Sequence, residues 1–396
     1  MTSIKAHFLA FNFATMRGIL IIVFVLICAV AQATSIKIGI FDGIPIKSAT
    51  FMSLGGSFVL EEENQQLRLA TNQSATIFIS GKSIVIKSGD VTINCGQKII
   101  LLSEESNNHF RLKPSNGGKK SQQYFDNLIV KWRNGILVFI NETNLDRYVG
   151  GVVEAEMGSN HTKELYKAQA IISRTYALAN KRKHESQGFH LCDRVHCQAF
   201  HGRARYNDDI LFAAYETQNL VLVDSDINLI TAAFHSNCGG QTLSSEKVWS
   251  KPLPYLKSVQ DTFCLVMSQS HWEKTIRKEK WVNYLKCNNQ SSSMDSTSTI
   301  LAWYPREKHE HFLGDENNLR MVDVRKDMEL RSAWFIVQDE GNEVRFVGRG
   351  FGHGVGLCQE GAIRRAQLGH SFEEILHHYY QDVHLMDLRK LDFFKD

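Results

Sequence analysis

Leu128-Ile-Val-Lys-Trp132, Arg133-Asn134-Gly135 and Ile136-Leu-Val-Phe-Ile140 read as two apolar runs on either side of an Asn-Gly pair. Asn-Gly supplies the positive φ angles that a two-residue turn demands, so the stretch predicts a β-hairpin. Upstream, Ile84/Ile86 and Val91/Ile93 alternate with polar residues around Ser88-Gly89-Asp90, the period of half-buried strands. Downstream the period changes. Leu165, Ala168, Ile172, Thr175 and Leu178 fall at helical spacing between Thr162, a suitable N-cap, and about Lys183. Apolar runs at Leu220–Val223 and Leu229–His235 predict strands, and Trp334–Val337 with Val344–Val347 flank Glu340-Gly341-Asn342 as a second hairpin. A glycine-rich turn then leads to a helix from about Leu357 to Leu368. Ser371 with Glu374 makes a capping box for a last helix ending near Tyr380. The expected fold class is α+β. An N-terminal, mostly-β accessory domain spans 34–143, and an antiparallel β-rich core with a long helix spans 144–396. A polar, serine-rich insertion at about 287–299 interrupts the second.

At 396 residues the chain can bury one large core and has room for two domains. A formal charge of +3, with no basic blocks, gives no ground for a nucleic-acid partner. Arg17, the apolar run Gly18–Val30 and Ala31-Gln32-Ala33 form the three regions of a secretory signal over residues 1–33. The expectation is export to the periplasm or cell envelope, with a membrane association only if this segment stays uncleaved. Its removal takes Lys5 and Arg17 and no acid, so +3 becomes +1. Seven cysteines then remain, an odd number that argues against a complete disulfide framework.

Three segments concentrate residue types that do chemistry. They are Tyr148-Val-Gly-Gly-Val-Val-Glu-Ala-Glu-Met-Gly158, His235-Ser-Asn-Cys-Gly-Gly-Gln-Thr242 and Gly348-Arg-Gly-Phe-Gly-His-Gly-Val-Gly-Leu-Cys-Gln359. A fourth block lies on the long helix, Lys167-Ala-Gln-Ala followed by Arg174-Thr175-Tyr176. Together, over roughly residues 140–384, they resemble the SpoIID family of cell-wall lytic enzymes and amidase enhancers. The resemblance implies that 144–396 is a catalytic domain and that Glu156 is its catalytic glutamate. It also implies substrate contacts from Lys167, Gln169, Arg174, Tyr176, His235, Ser236, Gln241, His353 and Gln359.

The chemistry of Glu156 agrees. Breaking a glycosidic bond needs a carboxylic acid to protonate the leaving oxygen, and Val152, Val153 and Met157 offer an apolar setting that raises its pKa. A hydrolase adds a second carboxylate as base or nucleophile. A lytic transglycosylase does not, because the sugar's own C6 hydroxyl attacks and one glutamate serves as acid and then base. Glu154, an acid where the family position is commonly small, is expected to face solvent or assist. The plain alternative for Glu156 is a helix-start glutamate favoured by the dipole.

His190-Leu-Cys192-Asp-Arg-Val-His196-Cys197 is dense in soft ligands. His190, Cys192, His196 and Cys197 suit a structural zinc, which some members of the family are understood to hold through a similar loop. A Cys192–Cys197 disulfide is the other reading, and Cys238 with Cys264 is a further candidate pair. The glycines around His353 lack the lysine of a phosphate loop and are expected to let the backbone approach a sugar polymer. No organic cofactor is expected. The functional expectation is lytic cleavage of peptidoglycan glycan strands stripped of their stem peptides, giving 1,6-anhydro-muramyl ends. A noncatalytic glycan binder that stimulates a cell-wall amidase is the alternative.

Overall fold

The computed structural model describes residues 34–62, 65–115, 120–249, 251–288, 304 and 319–390. The expected signal at 1–33 and residues 289–299 of the expected insertion lie outside them. The Asn-Gly hairpin is present. Strands β11 (Asn127–Arg133) and β12 (Ile136–Asn144) pair from Arg133–Ile136 to Asn127–Glu142, with Asn134 at φ 48° and Gly135 at φ 79°. Ten strands precede them: β1 (Ser35–Ile40), β2 (Ser48–Gly55), β3 (Phe58–Glu62), β4 (Gln65–Leu69), β5 (Ser74–Ser80), β6 (Ser83–Ser88), β7 (Val91–Asn94), β8 (Lys98–Ser103), β9 (His109–Pro114) and β10 (Gln122–Phe125). They form two sheets, ordered β10-β9-β2-β5-β6-β7 and β1-β12-β11-β8-β3-β4. Inward side chains of both sheets meet in one core, where Phe51, Phe58, Phe110 and Tyr124 make a run of ring contacts. The second sheet takes its outer strand from far along the chain. Strand β13 (Leu191–Cys192) pairs in parallel with Ile38 and Gly39 of β1, so the cysteine loop is docked on the sheet edge.

Asn144 ends β12 and caps helix α1 (Leu145–Met157), its side-chain oxygen accepting from Asp146 and Arg147 N–H. The sequence admits strand or helix at Glu154, and the structure makes it helix. Gly150 and Gly151 weaken the helical signal, but Gly151 has a packing reason. A Cβ there would lie 2.2 Å from the Gly202 carbonyl oxygen and 2.6 Å from the Phe200 ring. The glycine therefore lets the 199–206 loop press directly onto α1.

Helix α2 (Lys163–Ala179) follows where expected, beginning after Thr162, whose side chain makes no capping bond. It packs on α1, on α3 (Asp208–Glu216) and on β14 (Leu220–Val223). Arg174 is fully buried at this junction. It donates to Asp146 Oδ1 at 2.8 and 3.1 Å, to the Ala214 carbonyl at 2.8 Å and to the Leu220 carbonyl at 3.1 Å. A buried guanidinium is tolerable because its fork is matched by a carboxylate and two carbonyls.

The remaining elements are short. Of the expected strand at Leu229–His235, only β15 (Phe234–His235) is extended into a ladder, and Leu229 makes a single bridge to Val223. After α4 (Glu246–Trp249), strand β16 (His271–Arg277) leads into α5 (Lys278–Asn288) and, beyond the undescribed residues, α6 (Met321–Asp327). The second expected hairpin is β17 (Phe335–Asp339) and β18 (Glu343–Arg349), which complete the three-stranded sheet β16-β18-β17 over a core of Trp272, Trp281, Phe335 and Phe346. Strand β19 (Leu357–Cys358) pairs in parallel with β15, and α7 (Gln359–Gln367) starts immediately after it. Helix α8 (Phe372–Tyr379) carries the expected capping box, with Ser371 and Glu374 each bonded to the other's backbone N–H. Strand β20 (His384–Asp387) returns to β14. The chain is α+β, with the long α2 surrounded by the smaller helices and sheets.

Candidate functional site

Glu154 and Glu156 stand near the C-terminal end of α1, two residues apart and so on different sides of the helix. Glu154 Oε2 accepts from the backbone N–H of both Arg205 and Tyr206, each at 2.8 Å. Its carboxylate anchors a loop and is not a free helper. Glu156 Oε1 accepts from Ala199 N–H at 2.9 Å. Burial pushes the Glu156 carboxyl above its ordinary value of 4.5, outweighing the Ala199 N–H and the charge of His201, which both favour the ionised form. A raised pKa favours the protonated form of this carboxyl. Asn160, His161, Thr162, Leu165, Ile363 and Gln367 line a cavity of about 230 Å³ between the start of α2 and α7.

The glycine-rich segment lies against the 233–239 segment. Gly350, Gly352, Gly354 and Gly356 have φ of 78, 114, 82 and 71°. A Cβ would meet Asn237 O at 2.6 Å from Gly350, His235 Cβ at 2.7 Å from Gly352 and Ala233 O at 2.1 Å from Gly356. These close approaches are to the protein's own 233–239 segment, which gives the glycines a packing reason. His235 is buried, with Nδ1 against the Val355 carbonyl at 3.1 Å, and burial together with the neighbouring His353 holds its pKa down to about 3. The His353 ring lies 5.6 Å from that of His235 and 5.5 Å from Trp249, and its Nδ1 accepts from Val355 N–H at 3.1 Å. Burial holds the His353 pKa down as well, to about 4, and Trp249 presents 41% of its surface to solvent. Ser236 gives its carbonyl to Glu360 N–H, while Gln241 bonds Ser258 Oγ at 2.9 Å. Gln359 Nε2 donates to Met157 Sδ at 3.2 Å, which ties the glycine-rich block to the helix that carries Glu156.

The helix block serves the framework. Lys167 is paired with Glu164 at 3.0 Å and Glu216 at 3.2 Å, and Gln169 is buried with its amide on Ser173 Oγ. Arg174 spends its donors as described, and Tyr176 accepts from Lys183 Nζ at 3.3 Å. In the structure none of the four bonds Glu156, because each is engaged by groups of its own surroundings.

The cysteine loop gathers a different set from the one expected. Donor atoms of His184, Cys192, His196 and Cys197 all lie within 4.8 Å of one another. Cys197 Sγ is 3.4 Å from His184 Nε2 and 3.9 Å from His196 Nδ1, and Cys192 Sγ is 3.7 Å from His196 Nδ1. His190 is outside the set, because its Nδ1 accepts from Lys37 N–H at 3.0 Å on β1. His184 takes its place from the turn after α2, with its ring stacked on Phe189 and its Nδ1 held by Gln187 Oε1 at 2.8 Å, which leaves Nε2 facing the sulfurs. Cys192 and Cys197 are both free thiols. Two sulfurs and two imidazoles are the donor chemistry of a closed structural zinc site, and this set can hold such an ion. His184 lies eight positions before Cys192, outside the dense motif, and only a wider count of histidines would have found it.

Glu360 and Asp261 are buried carboxyl groups that motif reading passes over. Glu360 is satisfied by Asn237 Nδ2 at 2.6 Å, Ser268 Oγ at 3.0 Å and Gln269 N–H at 3.1 Å, so it braces the glycine-rich block.

Comparison with known proteins agrees with this arrangement. Residues 133–223, from the Asn-Gly hairpin through α1, α2 and the cysteine loop to β14, match the SpoIID family profile described as stage II sporulation protein. The chain is 29% identical over 265 residues to stage II sporulation protein D of Bacillus amyloliquefaciens, covering 63% of this chain and 75% of the relative. An uncharacterized protein of Brachyspira hyodysenteriae is 28% identical over 275 residues, or 68% of this chain and 74% of the relative. The amidase enhancer of Bacillus subtilis (strain 168) is 26% identical over 285 residues, 58% of this chain and 39% of the relative. With its four motif blocks in order, the chain is similar to the SpoIID family.

Proposed function

We propose that this protein cleaves peptidoglycan glycan strands as a lytic transglycosylase, with Glu156 acting as acid and then as base. Similarity to this family supports a peptidoglycan-related, cell-wall function. The finer reading rests on the asymmetry between two acids on one helix. Glu154 is committed to two backbone N–H groups, whereas Glu156 receives one and has its pKa raised by burial. A site with one available carboxyl suits a reaction that needs one.

In that reaction protonated Glu156 gives its proton to the glycosidic oxygen as the bond to the muramyl anomeric carbon breaks. The C6 hydroxyl of the same sugar bonds to that carbon, and its proton passes to the Glu156 carboxylate. No water is consumed, and the new end is a 1,6-anhydro ring. Trp249 beside His353 offers an aromatic face for a sugar ring, and Gln359, later in the same glycine-rich block as His353, bonds Met157 of α1. The substrate is the strand stripped of stem peptides, and the place of action is the cell envelope, reached through the export signal at 1–33. A zinc ion on His184, Cys192, His196 and Cys197 would fix the loop that holds Glu156 through Ala199.

Digestion of stripped strands in ¹⁸O-water separates the chemistries. The lytic reaction gives ends lighter by one water and without label, whereas labelled reducing ends would mean hydrolysis. The similarity to an amidase enhancer supports a second reading, a noncatalytic glycan binder acting on an amidase. Retention of strands without any cleavage would favour it.

A further inference from the structure

We propose that Cys238, Asp261, Cys264 and Cys358 hold a second, structural metal ion of the zinc class beneath the glycine-rich segment. The four residues come from three places: the stretch after β15, the turn 261–264 and the cap of α7. All are buried, at 5, 0, 0 and 0% exposure, and their donor atoms all lie within 4.8 Å of one another. Three sulfurs and one carboxylate oxygen form a donor set that such an ion accepts.

The spacing separates a metal site from the disulfide that the sequence suggests. Cys238 Sγ and Cys264 Sγ are 3.4 Å apart, both cysteines are free, and Cys238 Sγ is 3.6 Å from Asp261 Oδ2. Sulfurs on a tetrahedral zinc at about 2.3 Å stand about 3.8 Å from one another. A disulfide brings them to about 2.05 Å. The observed separation is close to the first figure.

A second observation points the same way. Asp261 Oδ1 is buried without a hydrogen-bond partner, and no lysine, arginine or histidine makes an ion pair with this carboxylate among the described residues. A carboxylate oxygen left without a partner in a dry interior is costly, and a cation among the sulfurs lowers that cost.

The surroundings are those of a built site. Tyr379 donates its hydroxyl to Asp261 Oδ2 at 2.8 Å. Cys358 Sγ accepts from Cys238 N–H at 3.2 Å and Gly361 N–H at 3.4 Å. Gly361 has to be glycine, since a Cβ would fall 2.0 Å from Asp261 Oδ2 and 2.3 Å from the Tyr379 hydroxyl. These partners orient the ligands as outer-shell groups do. On binding, the three thiols release their protons to solvent and the ion takes up three thiolates and the carboxylate. Four protein ligands leave no open position, so the ion is structural. It pins the 235–242 and 348–359 blocks together below His235 and His353.

The test is zinc content of the purified full chain, by elemental analysis after dialysis, with a disulfide map of the unreduced protein. Cys264→Ser and Cys358→Ser are each expected to lower zinc by one equivalent relative to wild type, while Cys197→Ser removes a different one. Wild-type peptides bearing Cys238 and Cys264 are expected to alkylate without prior reduction. Zinc content unchanged in both variants would overturn the proposal, as would recovery of Cys238 and Cys264 linked to each other. If those variants do not fold, wild-type protein decides. Two equivalents of zinc with unlinked peptides sustain the site, and one equivalent lost wholly in Cys197→Ser overturns it.

Discussion

The sheets of residues 35–144 and the motif-bearing region from Leu145 onward are held together in different ways. In the sheets, backbone pairs with backbone along ladders such as β11–β12, and side chains only have to alternate between core and solvent. From Leu145 on, several strands are two residues long, and the segments are joined by buried polar side chains, glycines at positive φ and clustered sulfurs. Order that depends on a few groups makes each of them indispensable, and it leaves backbone turns free to carry a site.

Arg174 is the buried polar joint whose loss is expected to cost most. Arg174→Met leaves Asp146 and two carbonyls without their donor, and a loss of about 3–5 kcal/mol is expected in denaturant unfolding. Lys167→Met, which removes a partly exposed cation, should cost about 1 kcal/mol or less. Equal losses would mean that the buried network is not what joins α1 to α2.

Gly151→Ala sharpens the same point at the site. Its methyl group would overlap the Gly202 carbonyl, so the 199–206 loop must move away from α1. A cost of about 1–3 kcal/mol is expected, with glycan cleavage reduced more than stability alone explains, since Ala199 leaves Glu156. Retained activity at the same thermal midpoint would show that the loop does not hold the acid. Ser371→Ala at the capping box of α8 is a smaller, local change, about 1 kcal/mol by unfolding and with no effect on cleavage.

The smallest effect is one of pH. The folded-state pKa of Glu156 lies above 4.5, so the native protein holds an extra proton there and loses stability as pH rises through that range. Glu156→Gln lacks this cost. Its midpoint should match or exceed that of wild type at neutral pH, and the difference should vanish at acid pH, below the unfolded value. If Glu156 is the proton donor, as proposed, the activity of wild type should fall as pH rises through the same pKa.

What the sequence revealed follows the same division. The Asn134-Gly135 turn, the Ser371–Glu374 box and the apolar stripe of α2 are local signals, and each stands where the pattern puts it. Helix α1 was not legible as a helix because Gly150-Gly151 lowers local propensity, and the compensating contact with Phe200 and Gly202 is long-range. The exchange of His190 for His184 has the same origin. Which histidine faces the sulfurs is decided by β1, which takes His190, and by Gln187 and Phe189, which orient His184. The Cys238–Cys358 neighbourhood joins positions 120 residues apart, and no spacing rule reaches that far.

The central claim is that Glu156 alone supplies the acid and the base. Wild type and Glu156→Gln, matched for thermal midpoint, should be compared for release of 1,6-anhydro-muramyl ends from stripped strands by mass spectrometry. The account predicts that wild type releases them and that the variant is slower by a factor of about 10²–10⁴. Anhydro ends appearing at the same rate from both proteins would contradict it.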